Sequence, residues 1–430
     1  MSTNPDVERI TYWIRLLNQR NAEAVVRDFS PDLRAAMPAP LLQLSWDVLT
    51  KKAGAFERVL SSTTDLSGAD HLVRVRCAFA QSVREVMLEV ALDHVGRIRG
   101  FFGHILTRNT ALTHARVPPY VNPGYFTERD VIIGHEPWLV GGTLTCPVWD
   151  GPFPGAVLVN THRDRNGMGN IFRDLAWGLA SNGVMVLRYD QSTVDHRDRD
   201  AYLGSLDGPG SAMAPPLTVQ DEFLDDAVSA LKRLCADPAS NGHVFAVGHG
   251  LGAYLLPRLA EQYGGPLGFV SLFGHTRPAW QISLESVAHI TAENPSHFRA
   301  AQRIQADLSR VGQGQYQDSE RLAGQSGRYW SDLRDHHGRH RFAPDSPILA
   351  VHGSGDDTGG GIAEFERLKA DLRSCHRTAF VLYPDLSYWL KAIERGYDPH
   401  RGQRHSLQGP VDQRLIFDMA RWIRTTPVTV

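Results

Sequence analysis

The sequence predicts an α/β protein, a buried and mostly parallel sheet with helices on both faces, preceded by a small α+β unit. Three observations predict it. Residues 129–430 alternate short, unbroken apolar runs with amphipathic stretches, the pattern of strands buried on both faces between covering helices. One run, Val247 onward (VGHGLGAYLLPRLA), passes through a glycine-rich turn straight into a helical pattern. Residues 1–115 instead place helical patterns first and alternating strands after, the order of an α+β unit.

In the first unit, Val7, Ile10, Ile14, Leu17 and Val25 recur at helical spacing over 7–29, broken by Ser30-Pro31. A second helix is expected over Leu41–Leu60, around Trp46, Leu49 and Phe56. Three strands are expected over Leu72–Phe79, Val83–Leu92 and Arg97–Leu106. In the middle one Val86, Leu88, Val90 and Leu92 alternate with Met87, Glu89 and Ala91, which marks one buried face. Residues 116–128 are rich in Pro and Gly and read as a linker. In the second unit, strands are expected at 155–160 (GAVLVN), 183–189, 243–247, 267–273, 347–352 and 378–383. Helices are expected at 171–181, 219–234, 251–263 and 411–423. Residues 279–342 break this rhythm with polar, helical sequence and are expected to cap the carboxyl ends of the strands.

Composition sets limits. With 42% hydrophobic and 21% charged residues the chain can bury a large core. A net charge of −2 offers no basic excess for nucleic acid or an anionic membrane. Apolar runs fall far short of the roughly 20 residues of a membrane span. The polar start MSTNPDVERI lacks a signal-peptide core, so the expected location is cytoplasmic. Cys77, Cys146, Cys235 and Cys375 are widely spaced, which argues against a disulfide framework or a zinc site. No HExxH-type spacing appears, so no metal is expected; GSGDDTGGG (353–361) lacks a phosphate-loop lysine, and no cofactor is expected.

The turn Gly248-His249-Gly250-Leu251-Gly252 sits where a G-x-S-x-G nucleophile elbow stands between strand and helix. With FRDLAWGLASNGVMVLRYD (172–190), RYWSDLR (328–334) and PILAVHGSGDD (347–357), it makes residues 125–425 resemble the α/β-hydrolase superfamily. The resemblance is to the bacterial group with an extra N-terminal domain. Residues 1–115 resemble the ketosteroid-isomerase-like domains that serve dimerisation or pocket closure there, which implies a possible homodimer. The resemblance also exposes three departures. The elbow serine is Gly250; the histidine position falls on Tyr388, in LYPDLSYW; the oxyanion loop reads Asn160-Thr161-His162-Arg163. Only the acid is kept, as Asp356 or alternatively Asp357, while His400 and His405 stand as alternative bases. A missing hydroxyl and a missing imidazole predict no ester turnover.

The residues left at this corner define an expected site. Asp356, Tyr388, His162 and His249 are the candidate proton carriers. Gly250, the Leu251 N–H at a helix start, Asn160, Arg163 and the Trp389 ring are the candidate substrate contacts. The alternative for each is structural: packing for Tyr388 and Trp389, a solvated loop for His162 and Arg163, a hydrogen-bonded relic for Asp356. Tyr254, Trp280 and Trp330 read as core, and His336, His337 and His340 as solvated side chains of a polar linker. A retained elbow without its nucleophile leads to the expectation of a cofactor-independent, non-hydrolytic enzyme acting on a small molecule. Carbon–carbon bond formation or cyclisation on an aromatic or polyketide-like intermediate is the expected chemistry. A ligand-binding pseudo-hydrolase and an esterase with a relocated base are the alternatives.

Overall fold

The computed structural model describes residues 5–65, 71–80, 84–107, 117–134, 140–161, 165, 170–191, 217–293, 298–354, 361–393 and 409–428. The chain divides into two compact units, one containing Met1–Arg116 and the other Val117–Tyr202 with Ala212–Val430.

In the first unit α1 (Pro5–Asn18), α2 (Ala22–Val26), α3 (Pro31–Ala36) and α4 (Ala39–Ala53) precede an antiparallel sheet in the order β1-β2-β3-β4. Its strands are β1 (Phe56–Asp65), β2 (His71–Phe79), β3 (Arg84–Leu92) and β4 (Ile98–Thr107). The 7–29 stretch is two helices, because Arg20 takes a left-handed φ of 58° and Asn21 caps a new start through Ala24 N. The helix expected to reach Leu60 stops at Ala53. Gly54 turns the chain at φ 89°, and Phe56 onward becomes β1. Val86, Leu88, Val90 and Leu92 are buried, as their alternation predicts. They pack with Ile10, Trp13, Ile14 and Leu17 of α1.

The second unit is built on an eight-stranded sheet in the order β14-β13-β10-β9-β7-β8-β6-β5. The strands are β5 (Phe126–Ile133), β6 (Val140–Pro147), β7 (Phe153–Val159), β8 (Met185–Tyr189), β9 (Ser240–His249), β10 (Gly268–Leu272), β13 (Ile348–Gly353) and β14 (Thr378–Tyr383). β6 runs antiparallel to β5 and β8, and the pairings from β8 through to β14 are parallel. This is the α/β-hydrolase arrangement, and the fold class expected from the sequence stands. The residues read as a linker already enter β5 at Phe126. β5 and β6 carry no unbroken apolar run, since β5 buries only Phe126, Val131 and Ile133.

Helices cover both faces. α5 (Ile171–Ala180) and α12 (Gln413–Thr425) share one apolar cluster, with Leu175, Leu179, Leu415 and Met419 against Ala156, Leu158 and Val186. α6 (Asp225–Cys235), entered through a π-helical turn at Gln220–Leu224, and α7 (Leu251–Tyr263) share the other. Residues 279–342 add α8 (Ala279–Glu293), α9 (Phe298–Gln313), a short β11–β12 hairpin (Arg321–Leu322, Gln325–Ser326) and α10 (Gly327–His336). Trp330 and Leu333 of α10 join Leu255, Leu256 and Leu259 of α7 in that second cluster, and Arg258 pairs with Asp332 at 3.0 Å. α11 (Gly361–Asp371) lies between β13 and β14 in the chain. No helix among the described residues is long and apolar enough to cross a membrane.

Arg188 on β8 and Glu128 on β5 form a buried ion pair at 2.5 Å. The same carboxylate oxygen also accepts from the Thr145 hydroxyl and the Trp177 indole, both at 2.9 Å. Removing one charge from such a pair leaves the other stranded in a low dielectric. Arg188→Met is therefore expected to cost about 3–5 kcal/mol, read as a lower denaturant midpoint. Glu128→Gln keeps an acceptor for Thr145 and Trp177 but strands the buried Arg188 guanidinium, and should cost about as much.

Candidate active site

The site grows from the turn between β9 and α7. At Gly250 the backbone takes φ 54° and ψ −113°, a conformation that L side chains rarely adopt. The Gly250 N–H donates to Leu272 O at 3.0 Å, and its carbonyl accepts from Tyr254 N at 3.0 Å, which locks the corner between sheet and helix. Two neighbouring glycines are set by close approach. A Cβ on Gly248 would lie 2.5 Å from Ala253 N, and one on Gly252 would lie 3.1 Å from Val159 O. The sequence folds into an elbow here because α7 is pulled back against its own strand.

Leu251 opens α7, and Gly250 caps it without a side-chain bond. The first-turn N–H groups have no intrahelical acceptor by position, and the helix dipole adds positive potential there. A carbonyl oxygen or an anion is the natural occupant.

Tyr388 closes the corner. A Cβ on Gly250 would fall 2.0 Å from Tyr388 Oη. The place of an elbow side chain is thus filled by a phenol brought in from the segment after β14. Oη stands in the space that an elbow side chain at 250 would fill. The Tyr388 ring lies 4.4 Å from the His249 ring and 5.6 Å from that of Phe273, centre to centre. His249 is 2% exposed, and its Nε2 is 2.7 Å from the Tyr388 backbone oxygen. The imidazole therefore donates to that oxygen and holds the segment in place instead of offering the nitrogen to a ligand. Trp389 packs edge-on to Tyr388 at 5.4 Å and is half-buried. Ser387 N donates to Lys391 O, and Leu386 bridges Ala392, so the segment 386–392 is internally tied.

Asn160 is fully buried. Its Nδ2 donates to Tyr189 O at 2.8 Å, and its N–H to the Tyr189 hydroxyl at 3.3 Å. These bonds tie β7 to β8 and give Asn160 a structural task at the site's edge. His162, Arg163, Asp356, Asp357, His400 and His405 lie outside the described residues. Among the described residues no cluster of His, Cys, Asp or Glu could hold a metal ion.

Sequence reasoning missed two neighbours of the corner. His352, at the end of β13, is fully buried with its ring 4.7 Å from Phe273. Glu364, in the first turn of α11, accepts from Thr276 N at 2.8 Å, Arg277 Nε at 2.8 Å and Arg367 at 3.0 Å, and so fixes the segment after β10. Burial works against its charge, but these donors win and hold the carboxyl down at about 2. A histidine inside an apolar strand and an acid in a helix's first turn carry no local sequence signal that marks them.

No family model matches the chain. It is 25% identical over 424 residues to Esterase EstD from Thermotoga maritima, covering 96% of this chain and 93% of that one. Among solved structures, a Pyrococcus furiosus esterase matches with a TM-score of 0.44 at 13% identity, covering 71% of this chain and 96% of that one. A Pyrobaculum calidifontis esterase matches with a TM-score of 0.43 at 15% identity, covering 70% and 87%. The likeness to EstD runs through both units and overturns the expectation of non-hydrolytic carbon–carbon chemistry, since that relative is an esterase. Nothing supports a polyketide or natural-product substrate.

Two outcomes are expected. Gly250→Ala should destabilise the chain by about 1–3 kcal/mol through clash and backbone strain. In a Tyr388→Phe background the same change should cost measurably less, a coupling that a double-mutant cycle in urea reads directly. Glu364 titrates well below the ordinary carboxylate range in the folded chain, so its stabilisation is present above that range and lost as pH falls toward about 2. Glu364→Gln should remove on the order of 3 kcal/mol at pH 7 and flatten the stability curve between about pH 4.5 and 2.

Proposed function

We propose that the chain is a hydrolase of carboxylic esters in which the Tyr388 phenol takes the place of the elbow serine. The observation that carries this reading is the position of Tyr388 Oη, 2.0 Å from where a Cβ on Gly250 would stand. A hydroxyl therefore occupies the elbow although residue 250 has none. The likeness to Esterase EstD over almost the whole chain supports ester chemistry, as does the amino end of α7 beside the hydroxyl.

In this reading the ester carbonyl oxygen rests on the Leu251 N–H, which stabilises the oxyanion. Tyr388 Oη attacks the acyl carbon, its proton passes to a base, and the alcohol leaves with a proton returned from that base. Water then cleaves the resulting aryl ester. A phenol, with its ordinary acidity near 10, is a far better leaving group than a serine alkoxide, which favours this second step. Asp356 is the proposed base and His162 a proposed proton carrier, while His249 is a positioning residue that holds the 388 backbone. Arg163 and Trp389 are proposed contacts to the acyl or alcohol portion. The same reading takes the chain to be cytoplasmic, with residues 1–115 serving dimerisation.

One observation favours a second reading. Residue 250, at the elbow itself, carries no hydroxyl. That arrangement suits a pseudo-hydrolase that binds an ester without turning it over. Acetyl and butyryl esters of p-nitrophenol separate the two. Turnover by the wild type, lost by at least about 100-fold (~2.7 kcal/mol) in a folded Tyr388→Phe variant, with an acyl adduct trapped on Tyr388 by mass spectrometry, supports the hydrolase. Turnover unchanged in Tyr388→Phe refutes the phenol's role. Ester binding without any product leaves the binding protein.

A further inference from the structure

The eight-stranded sheet ends in β5 on one side and β14 on the other, and the two edges are finished differently. β5 exposes Arg129 and Asp130 within its length, charges of the kind that blunt an edge against further pairing. β14 has no such guard: from Thr378 to Tyr383 it reads TAFVLY, without a charge, a glycine or a proline. Its neighbour β13 uses only every second residue of its backbone. Ile348 N donates to Arg377 O at 3.1 Å and Ser354 N to Tyr383 O at 2.9 Å, so residues 377, 379, 381 and 383 face β13. Thr378, Phe380 and Leu382 therefore aim their N–H and C=O groups outward, and no backbone group among the described residues bonds them there.

The side chains of this edge sort by face. Phe380 and Leu382 are 36% and 38% exposed, on the face covered by α11, where the Phe380 ring meets that of Phe365 at 6.2 Å. Ile362, also exposed, lies on the same stripe of α11 as Phe365 and Lys369. Arg377 and Asp385, at the two ends of the strand, lie on the opposite face, that of α12. Asp385 accepts from Arg414 of α12 at 2.7 Å, and Arg377 donates to Pro427 O, just past α12, at 2.5 Å. Both bonds of Arg377 go to carbonyl oxygens, at Asp345 and Pro427, so its charge meets no carboxylate among the described residues.

Only one geometry lets this edge meet itself. Two parallel strands would have to use opposite edges, so identical edges pair antiparallel, about a two-fold axis. The free backbone groups then require an outward-facing residue to stand opposite another. An axis on Val381 satisfies this, setting Phe380 opposite Leu382 of the second copy and Leu382 opposite its Phe380. The same register sets Arg377 opposite Asp385, once at each end, on the face where both side chains already lie. Apolar thus meets apolar on one face, and opposite charges meet on the other. An axis on Phe380 would use the same outward groups but leave Arg377 against Tyr383 and Asp385 against Cys375.

We propose that β14 is a self-association edge, through which two copies of this chain join their sheets antiparallel about an axis at Val381, Phe380 lying against Leu382 and Arg377 against Asp385. The occupant is a second copy and not a foreign strand, because one sequence supplies both members of every pair. The interface is independent of the ester chemistry proposed above and separate from residues 1–115. If those residues also pair, the edge doubles the assembly once more.

The test is the mass of the full-length chain in solution, by sedimentation over about a hundredfold range of concentration. The wild type should associate into an even-numbered oligomer. Phe380→Lys combined with Leu382→Lys sets like charges opposite one another and should halve that mass, with the circular dichroism unchanged. Arg377→Asp and Asp385→Arg should each weaken association by about tenfold. The chain carrying both changes restores opposite charges in swapped positions and should regain the wild-type association. If the lysine variant fails to fold, this charge swap on the exposed ends of the strand decides alone. A monomeric wild type, a mass unmoved by the two lysines in a folded chain, or a swapped pair that associates no better than its single changes would each overturn it.

Discussion

The return of α7 onto its own strand is the constraint on which the rest of the second unit depends. The turn runs so tightly that Gly248 and Gly250 exclude a Cβ, against Ala253 N and Tyr388 Oη, and a Cβ on Gly252 would press on Val159 O. Backbone strain at Gly250 is held by two sheet-and-helix bonds, to Leu272 and from Tyr254. Because that corner is fixed, α7 reaches the sheet face at one angle. Leu255, Leu256 and Leu259 then meet the helices of the 279–342 insertion, and Tyr254 and Arg258 meet His337 and Asp332. The elbow and the packing of that insertion therefore share one helix.

The segment after β14 is the second half of the corner. Its path is set by contacts that leave little freedom: Leu386 O would sit 2.0 Å from a Cβ on Gly353, His249 holds the backbone at 388, and Leu386 and Leu390 are fully buried. The phenol is delivered by apolar anchors on either side of it, which is how a loop can place a hydroxyl as reproducibly as a helix does. The Glu364 cluster plays the same part for the segment after β10.

How much of this was legible in the sequence follows from what kind of signal each feature leaves. The central strands were readable because burial on both faces writes an unbroken apolar run, as in 155–160 and 267–273. β5 was not, because an edge strand with half its residues exposed leaves no such run, and neither was β6, whose buried positions are filled by Gly142, Thr143 and Thr145 as well as apolar residues. The helix expected over 41–60 failed at Gly54, a single positive-φ residue whose effect outweighs the apolar spacing that continues past it. At the site, the elbow was readable from three glycines at fixed spacing, and so was Tyr388 as a neighbour of the old triad corner. The direction of the phenol was not, since its place over Gly250 depends on the path of a distant loop. The pairing of His340 with Glu261 was equally invisible, because only folding brings the two together across 79 positions.

Read singly, Gly250 looks like a deletion and Tyr388 like a substitution. His249 bridges the two through a contact spanning 139 positions, and the Tyr388 hydroxyl occupies the volume that Gly250 leaves. The pair behaves as one unit of packing: residue 250 can be small only because residue 388 is large, and Tyr388 can reach the corner only because residue 250 has no side chain. A change at either position alone breaks the fit, by overlap in one direction and by an empty polar corner in the other. The chemistry of the corner is therefore a property of the pair, and a serine placed at 250 would meet the phenol before it met any ester.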